Sequence, residues 1–178
     1  MKLFILLLLL LPWSPLFAEE ARGTLIEVED GDTLMVDLAG KKERIQLLGV
    51  DAPEDRQNPK LKHDMQRTGL DAEQLLPAGR AATQYLKSLT HPGDALVLSG
   101  KLQQRDRYGR ISTRVFSATG VSLNQAMVAA GHARPLRSGP LPKALKQTLE
   151  EAYATAKSTR QGSWKSYPDV FGIWAGEN

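Results

Sequence analysis

Cysteine is absent from the 178-residue chain, so the fold holds no disulfide and offers neither a thiolate metal ligand nor a thiol for lipid attachment. Histidine is scarce as well, and the three that occur, His63, His91 and His132, lack the mutual spacing of a metal site. A metal bound by this chain is therefore expected to be held by oxygen atoms. Oxygen ligands are preferred by hard cations such as Ca²⁺, whereas zinc prefers sulfur and nitrogen.

The chain also lacks an apolar run as long as a membrane span. Residues 1–18 have one basic residue, Lys2, then a run of leucines, and the small residue Ala18 ahead of two glutamates. This is the pattern of a secretory signal peptide cleaved near Ala18, and the run is shorter than the roughly 20 residues that cross a bilayer. We expect the remainder to be exported, periplasmic or extracellular, without stable membrane insertion and as a monomer. A retained membrane anchor is the alternative interpretation.

Charge of one sign is not in large excess. The formal net charge is +3, and it falls by one when Lys2 leaves with the signal peptide. The basic residues are nevertheless clustered in two places. The first cluster contains Lys101, Arg105, Arg107, Arg110 and Arg114, and the second contains Arg134, Arg137, Lys143 and Lys146. Such clusters suit a polyanion, and a solvated basic surface is the alternative.

Periodicity in the rest of the chain predicts one domain over residues 19–166. Five short runs rich in branched residues predict strands at residues 25–28, 34–38, 45–50, 95–99 and 111–116. Apolar residues at helical spacing predict three helices, at residues 75–89, 122–131 and 145–156. Five strands with helices after the third and the fifth predict an α+β fold, in which a small closed barrel carries three packed helices.

Two segments show no sustained period. Residues 55–70 contain Pro59, Gly69 and many charged residues, so we predict a mobile loop next to the acidic turn that precedes it. Residues 167–178 contain Phe171 and Trp174 and are too apolar for a simple linker. They form a C-terminal tail that either packs back on the barrel or contacts another surface.

Two acidic turns are the first candidates for chemistry. Residues 30–33 read Asp-Gly-Asp-Thr between the first two predicted strands, and residues 50–54 read Val-Asp-Ala-Pro-Glu after the third. If those strands pair, both turns face one cleft. Carboxylates gathered there repel each other unless a cation lies among them, so the pattern predicts a metal site. The alternatives are an ordinary turn residue for Asp32 and a helix-start acid for Glu54.

Three further motifs follow these turns: Asp-Arg-Tyr-Gly-Arg at 106–110, Gly-Val-Ser-Leu-Asn at 120–124 and Gly-His-Ala at 131–133. Taken in order with the two acidic turns, they resemble the staphylococcal thermonuclease, or micrococcal nuclease-like, family over about residues 24–164. The resemblance implies a five-stranded OB-fold barrel that binds one Ca²⁺ and hydrolyses phosphodiester bonds in DNA and RNA.

The resemblance also implies roles for individual residues. Asp32 and Asp51 correspond to carboxylate ligands of the cation, and Ala52 to a residue, often threonine in the family, whose backbone carbonyl is a ligand. Glu54 corresponds to the general base that takes a proton from the attacking water. Arg110 corresponds to the group that holds the phosphate and neutralises charge in the transition state. Ligand chemistry alone leaves Mg²⁺ or Mn²⁺ open as alternatives to Ca²⁺.

One position departs from the family pattern. Five residues before Asp51 the family usually has an arginine that binds the scissile phosphate, and this chain has Gln46. A neutral amide donates hydrogen bonds but supplies no charge. Arg44 lies two residues earlier and, by strand periodicity, on the same face. Arg44 is therefore a candidate substitute, and we count both Arg44 and Gln46 as candidate substrate-binding residues.

The sequence thus predicts an exported metal-dependent nuclease, expected to be an endonuclease, with DNA, RNA or both as substrate. An alternative is an OB-fold module that binds nucleic acid or protein without cleaving. Such binders stack bases on aromatic side chains along the barrel, and the predicted strands offer only Phe116. A third interpretation is a secreted adaptor that uses the C-terminal tail.

Overall fold

A closed barrel of five strands forms the body of the protein in the computed structural model, which describes residues 19–137 and 139–177. The strands of this part of the chain are β1 (Glu19–Val28), β2 (Thr33–Leu38), β3 (Lys41–Leu47), β4 (Val50–Asp51), β5 (Ala95–Gly100), β6 (Ile111–Ser117) and β7 (Arg134–Pro135). The barrel order is β1-β2-β3-β6-β5, closed by pairing of β5 with β1. The predicted barrel is confirmed, and the predicted signal peptide at residues 1–18 lies outside the described residues.

The interior of the barrel follows from the period of two along its strands. In β6, Ile111, Thr113 and Val115 are buried, while the residues between them are partly exposed. Side chains at alternate positions of a strand point to opposite faces, so each strand contributes one inward row. Burial of an apolar branched side chain such as Ile111 or Val115 stabilises the fold by roughly 1.5–3 kcal/mol. The strands β3 and β6 are parallel, and the other neighbouring pairs of the barrel are antiparallel.

Six helical segments occur within the described residues, so the prediction of three helices is wrong in number. They are α1 (Pro59–Thr68), α2 (Ala72–Leu89), α3 (Leu123–Ala129), α4 (Lys143–Ser158), the single turn α5 (Ser163–Ser166) and α6 (Pro168–Ala175). The predicted helices correspond to α2, α3 and α4. None of the helices in the described part of the chain has the length and hydropathy of a membrane span.

The helix α1 occupies the segment that we predicted as a mobile loop. Asn58 caps its first turn by accepting a hydrogen bond from the backbone N–H of Leu61, and Pro59 stands at the first helical position, which suits its fixed φ. Gly69, with φ of +74°, ends the helix. The helix buries only Leu61 and the carboxylate of Asp64. Its polar face lies towards the acidic turns, which explains why apolar periodicity did not reveal it.

The C-terminal tail packs back on the body, which settles the two alternatives that the sequence left open. Phe171 and Trp174 of α6 are buried in a second core with Leu61 of α1 and Leu75 of α2. The indole N–H of Trp174 donates to the buried carboxylate of Asp64 at 3.0 Å. A second core outside the barrel thus joins α1, α2 and α6.

Candidate active site

The two acidic turns meet at one end of the barrel, as the strand pattern predicted. Asp32 precedes β2, and its carboxylate accepts hydrogen bonds from the backbone N–H of Ala52 at 3.1 Å and from the hydroxyl of Thr33 at 2.9 Å. The backbone carbonyl of Asp32 accepts from the N–H of Leu47 at the end of β3. Asp32, Asp51 and Glu54 are all largely buried. The structure therefore gathers the three predicted carboxylates into one site.

Lys60, which the sequence analysis missed, places its ammonium group inside this site. Its Nζ lies 2.7 Å from Oε1 of Glu54, 3.0 Å from Oδ1 of Asp51 and 2.9 Å from the backbone carbonyl oxygen of Ala52. These three oxygens accept all three N–H donors that an ammonium possesses. Lys60 stands in the first turn of α1, within the segment expected to be a loop, so only the fold brings it to the acids.

A second cation, Arg134, holds the other side of Asp51. Its Nε and Nη2 donate to Oδ2 of Asp51 at 2.9 and 2.8 Å, and its Nη1 donates to the backbone carbonyls of Trp174 and Ala175 at the end of α6. Arg134 lies on β7, which pairs with the strand that carries Asp51. Asp51 is therefore bound on one oxygen by a lysine and on the other by an arginine.

These pairings decide the ionisation of the site. Burial acts to raise the pKa of Asp51, but the charges of Lys60 and Arg134 outweigh burial and hold that pKa below its ordinary value. Burial acts to lower the pKa of Lys60, and the carboxylates around it hold that pKa above its ordinary value instead. Burial and the neighbouring carboxylates of Asp32 and Glu54 raise the pKa of Asp30 to about 7. Asp51 is thus held as a carboxylate and Lys60 as an ammonium.

Glu54 is fixed from two sides, by the cap of α1 and by α2. The side-chain amide of Asn58 donates to Oε2 of Glu54 while Asn58 also caps α1. From the other side α2 approaches so closely that a Cβ atom added at Gly79 would lie 2.0 Å from the backbone carbonyl oxygen of Glu54. A Cβ added at Gly31 would meet the methyl groups of Ala52 and Ala82 at 2.8 Å. Small residues on α2 therefore allow the helix to pack closely against both acidic turns.

Arg110 lies at the edge of the same site. Its Nε donates to Oδ2 of Asp106 at 2.9 Å, and its Nη1 lies 3.3 Å from the hydroxyl oxygen of Thr33, which in turn donates to Asp32. The turn that aims Arg110 needs Gly109, whose φ of +77° suits glycine. Arg110 and Asp32 are thus separated by a single hydroxyl group, and the predicted arginine stands beside the predicted acids.

The two candidate substrate-binding residues on β3 occupy different environments. Arg44 is engaged with Glu29, with nitrogen–oxygen distances of 2.6–3.0 Å, and 43% of its side chain is exposed. Gln46 is buried, and its Nε2 donates to the backbone carbonyl of Val50 at 3.3 Å. Its Oε1 is buried without a hydrogen-bond partner among the described residues. Gln46 therefore faces the second acidic turn, whereas Arg44 would have to exchange Glu29 for a phosphate.

The chemistry of the donors fits a hard cation. Asp32, Asp51 and the carbonyl of Ala52 are oxygen donors, and the ammonium of Lys60 contacts Asp51 and the carbonyl of Ala52. Within the described residues no cluster of three or more acidic or histidine side chains is arranged as a ready-made metal cage. Few protein ligands imply that water and substrate oxygens complete the coordination shell. The charge and donor type of these residues are therefore compatible with a hard cation.

The first basic cluster is partly paired within the protein. Arg105 bonds both carboxylate oxygens of Glu43 at 2.7 and 2.8 Å, and Nη2 of Arg114 donates to the hydroxyl of Ser99. Tyr108 is 60% exposed next to Arg110, and the guanidinium of Arg107 lies over its ring at 4.8 Å. An exposed aromatic ring flanked by arginines beside the acidic site is typical of a surface that binds a nucleic-acid chain, rather than of an evenly solvated basic surface.

Comparison with known proteins agrees with this geometry. A family model described as staphylococcal nuclease homologue matches residues 44–166. The chain is 35% identical over 128 residues to an uncharacterized endonuclease of Escherichia coli, covering 72% of this chain and 69% of that protein. It is 28% identical to the thermonuclease of Staphylococcus hyicus over 150 residues, with coverage of 84% and 79%. It is 30% identical over 156 residues to endonuclease YhcR of Bacillus subtilis, but spans only 12% of that protein's length.

Proposed function

The chain belongs to the staphylococcal nuclease family, and from this premise we propose that it is a metal-dependent nuclease that hydrolyses phosphodiester bonds in DNA, RNA or both. The observation that carries the proposal is the gathering of Asp51, Glu54 and the carbonyl of Ala52 around one positive charge. Arg110 stands one hydroxyl group away from Asp32. Acids around a cation site and a guanidinium beside it are groups that can stabilise the charge that develops in phosphodiester hydrolysis.

We assign the cation ligands to Asp32, Asp51 and the backbone carbonyl of Ala52. Ca²⁺ is the cation that we propose, because the donors are oxygens and the family resemblance favours it; Mg²⁺ and Mn²⁺ are compatible with the same donors. A cation bound there supplies positive charge to phosphate oxygens. The ion pair of Arg134 with Asp51 orients one of the ligands from the side away from Lys60.

We assign the proton transfer to Glu54. Asn58 holds one of its carboxylate oxygens, and Gly79 lets α2 fix its backbone, so the side chain is positioned before substrate arrives. A positioned general base contributes roughly 10² to 10⁴ in rate. Arg110, oriented by Asp106, is the group that neutralises phosphate charge as the water attacks. Loss of one such electrostatic contact typically lowers the rate by about 10² to 10³.

Gln46 and Arg44 are the substrate contacts that we propose outside this centre. The buried amide of Gln46 faces the turn that carries Asp51, so it is proposed to bind near the reacting group without supplying charge. Arg44 is proposed to reach a phosphate by leaving Glu29. If Arg44→Ala leaves turnover unchanged while Arg110→Ala abolishes it, the role of Arg44 is wrong. Export, endonucleolytic action and a monomeric state are also proposals, which cell fractionation, product sizing and sedimentation test.

The experiment that tests the function is cleavage of denatured DNA and of RNA by the purified protein, with Ca²⁺ and with a chelator. We expect cleavage with Ca²⁺, none with the chelator, and a loss of about 10² or more in rate for Glu54→Gln. The matched control is Glu73→Gln, the same chemical change at an exposed position of α2. Cleavage that ignores both the chelator and Glu54→Gln contradicts the mechanism. Binding without cleavage under every condition favours the non-catalytic OB-fold module.

A further inference from the structure

Lys60 occupies the position from which a divalent cation would contact Asp51 and Ala52. Its Nζ lies 2.7–3.0 Å from three oxygens, one each from Glu54, Asp51 and Ala52. Two of these oxygens belong to residues that we assign as cation ligands. Ca²⁺ binds oxygens at about 2.3–2.6 Å, so a cation bound to the same oxygens would occupy almost the same point as the ammonium. The two positive charges exclude each other.

Of the two basic residues on Asp51, Lys60 is the one that can leave. Arg134 is anchored by the carbonyls of Trp174 and Ala175 and is only 16% exposed. The side chain of Lys60 is 41% exposed, which leaves its flexible stem open to solvent. Its Nζ also lies 4.0 Å from Oδ2 of Asp64, one helical turn along α1. A rotation of the stem can therefore carry the ammonium out of the site without moving any backbone.

We propose that Lys60 is a built-in competitor of the divalent cation: its ammonium fills the cation position until Ca²⁺ binds, and then withdraws towards solvent and Asp64. This inference rests on the proposed metal site. It implies that Lys60 balances part of the charge of Asp51 and Glu54 while no divalent cation is bound, and that it weakens the affinity for Ca²⁺ in return. Turnover then requires both the arrival of the cation and the departure of the lysine.

The first test uses the unmodified protein and does not depend on a variant that folds. Lysine side chains are labelled with an amine-reactive ester with and without Ca²⁺, and the extent at each position is measured by mass spectrometry. We expect Ca²⁺ to raise the labelling of Lys60 several-fold, because the amine leaves a site where three acceptors hold it. Lys62, exposed on the same helix, is the internal control and should not change. Equal labelling of Lys60 in both conditions overturns the proposal.

The second test measures Ca²⁺ affinity directly by isothermal titration calorimetry. We expect Lys60→Met to bind Ca²⁺ at least about tenfold more tightly than the unmodified protein, because a like charge in contact with the site is removed. Lys60→Gln keeps a hydrogen-bond donor without the charge and should also bind Ca²⁺ more tightly. It serves as the test variant if Lys60→Met folds poorly. Lys62→Met should leave the affinity unchanged.

The outcomes separate this inference from the proposed function. Tighter binding by both Lys60 variants supports the competition. Equal affinities in all four proteins overturn the competition and leave the metal site standing, provided that Asp51→Asn abolishes binding. No Ca²⁺ binding by any of the proteins, or binding that survives Asp51→Asn, overturns the assigned metal site and this inference together.

Discussion

Replacement of Arg134 by methionine is the perturbation that the structure makes most informative. Arg134 donates two hydrogen bonds to Asp51 and one each to the carbonyls of Trp174 and Ala175, and its guanidinium lies 4.5 Å from the ring centre of Trp174. It therefore connects a proposed cation ligand with the C-terminal helix. Methionine keeps much of the apolar stem, so the change removes mainly the charge and the donors.

The size of the effect can be worked out from this arrangement. Arg134 and Asp51 have side chains that are only 16% and 9% exposed, and breaking a buried ion pair destabilises by about 3–5 kcal/mol. Lys60 still neutralises part of the charge on Asp51, which places the expected loss near the lower end of that range. Such a loss is a large share of the roughly 5–15 kcal/mol that stabilises an ordinary domain.

The assay is equilibrium unfolding in urea, monitored by tryptophan fluorescence because Trp174 lies at the affected end of α6. The matched control is Arg137→Met, which also removes donors to α6 carbonyls but whose side chain is 62% exposed. We expect the control to lose no more than about 1 kcal/mol. The double variant Asp51→Asn with Arg134→Met should lose less than the sum of the single variants. A loss for Arg134→Met no larger than that of the control refutes the reasoning.

Three further predictions concern different parts of the fold. Gly79→Ala should destabilise the protein by about 1–3 kcal/mol and lower its turnover, because the added Cβ would collide with the backbone of Glu54. This loss is expected even though alanine favours helix more than glycine does. Unchanged turnover and unfolding free energy would contradict the close approach of α2. Asn124→Ala should destabilise by about 2–4 kcal/mol in urea unfolding, since the buried amide bonds three backbone groups; a loss below about 1 kcal/mol would show that these bonds matter little. The hydrogen bond from Lys157 lowers the pKa of Glu177 in the folded state. The contribution of this bond to stability is therefore present above the unfolded-state pKa of Glu177 and is lost as pH falls through the folded-state pKa. Glu177→Gln should lose less stability than the unmodified protein on acidification, and equal losses would contradict this.

The charge balance of the site bears on how metal dependence should be measured. Asp51 is already bound by Lys60 and Arg134, and the ammonium of Lys60 also neutralises Glu54. Asp51 and Glu54 are therefore paired with the protein's own cations, so these two carboxylates do not need a metal for the protein to fold. Metal dependence should consequently appear in turnover and in direct binding rather than in whether the protein folds.

Local sequence patterns were sufficient to predict the barrel and the meeting of the two acidic turns. In β6 the buried residues Ile111, Thr113 and Val115 alternate with partly exposed ones, and such local patterns need no tertiary information to be recognised. The turn at 106–110 needs a glycine at positive φ to aim Arg110, which is again a local requirement. The convergence of the acidic turns followed from the pairing of neighbouring strands.

The surroundings of those acids depend on contacts between distant segments, which local patterns do not reveal. The helix α1 was missed because it buries a single leucine and a carboxylate, Asp64, instead of an apolar stripe. No sequence motif marks Lys60 in that helix. The position of its ammonium group depends on how α1 packs beside the acidic turns. Arg134 lies 83 residues from its partner Asp51, and such contacts between distant segments leave no local pattern to read.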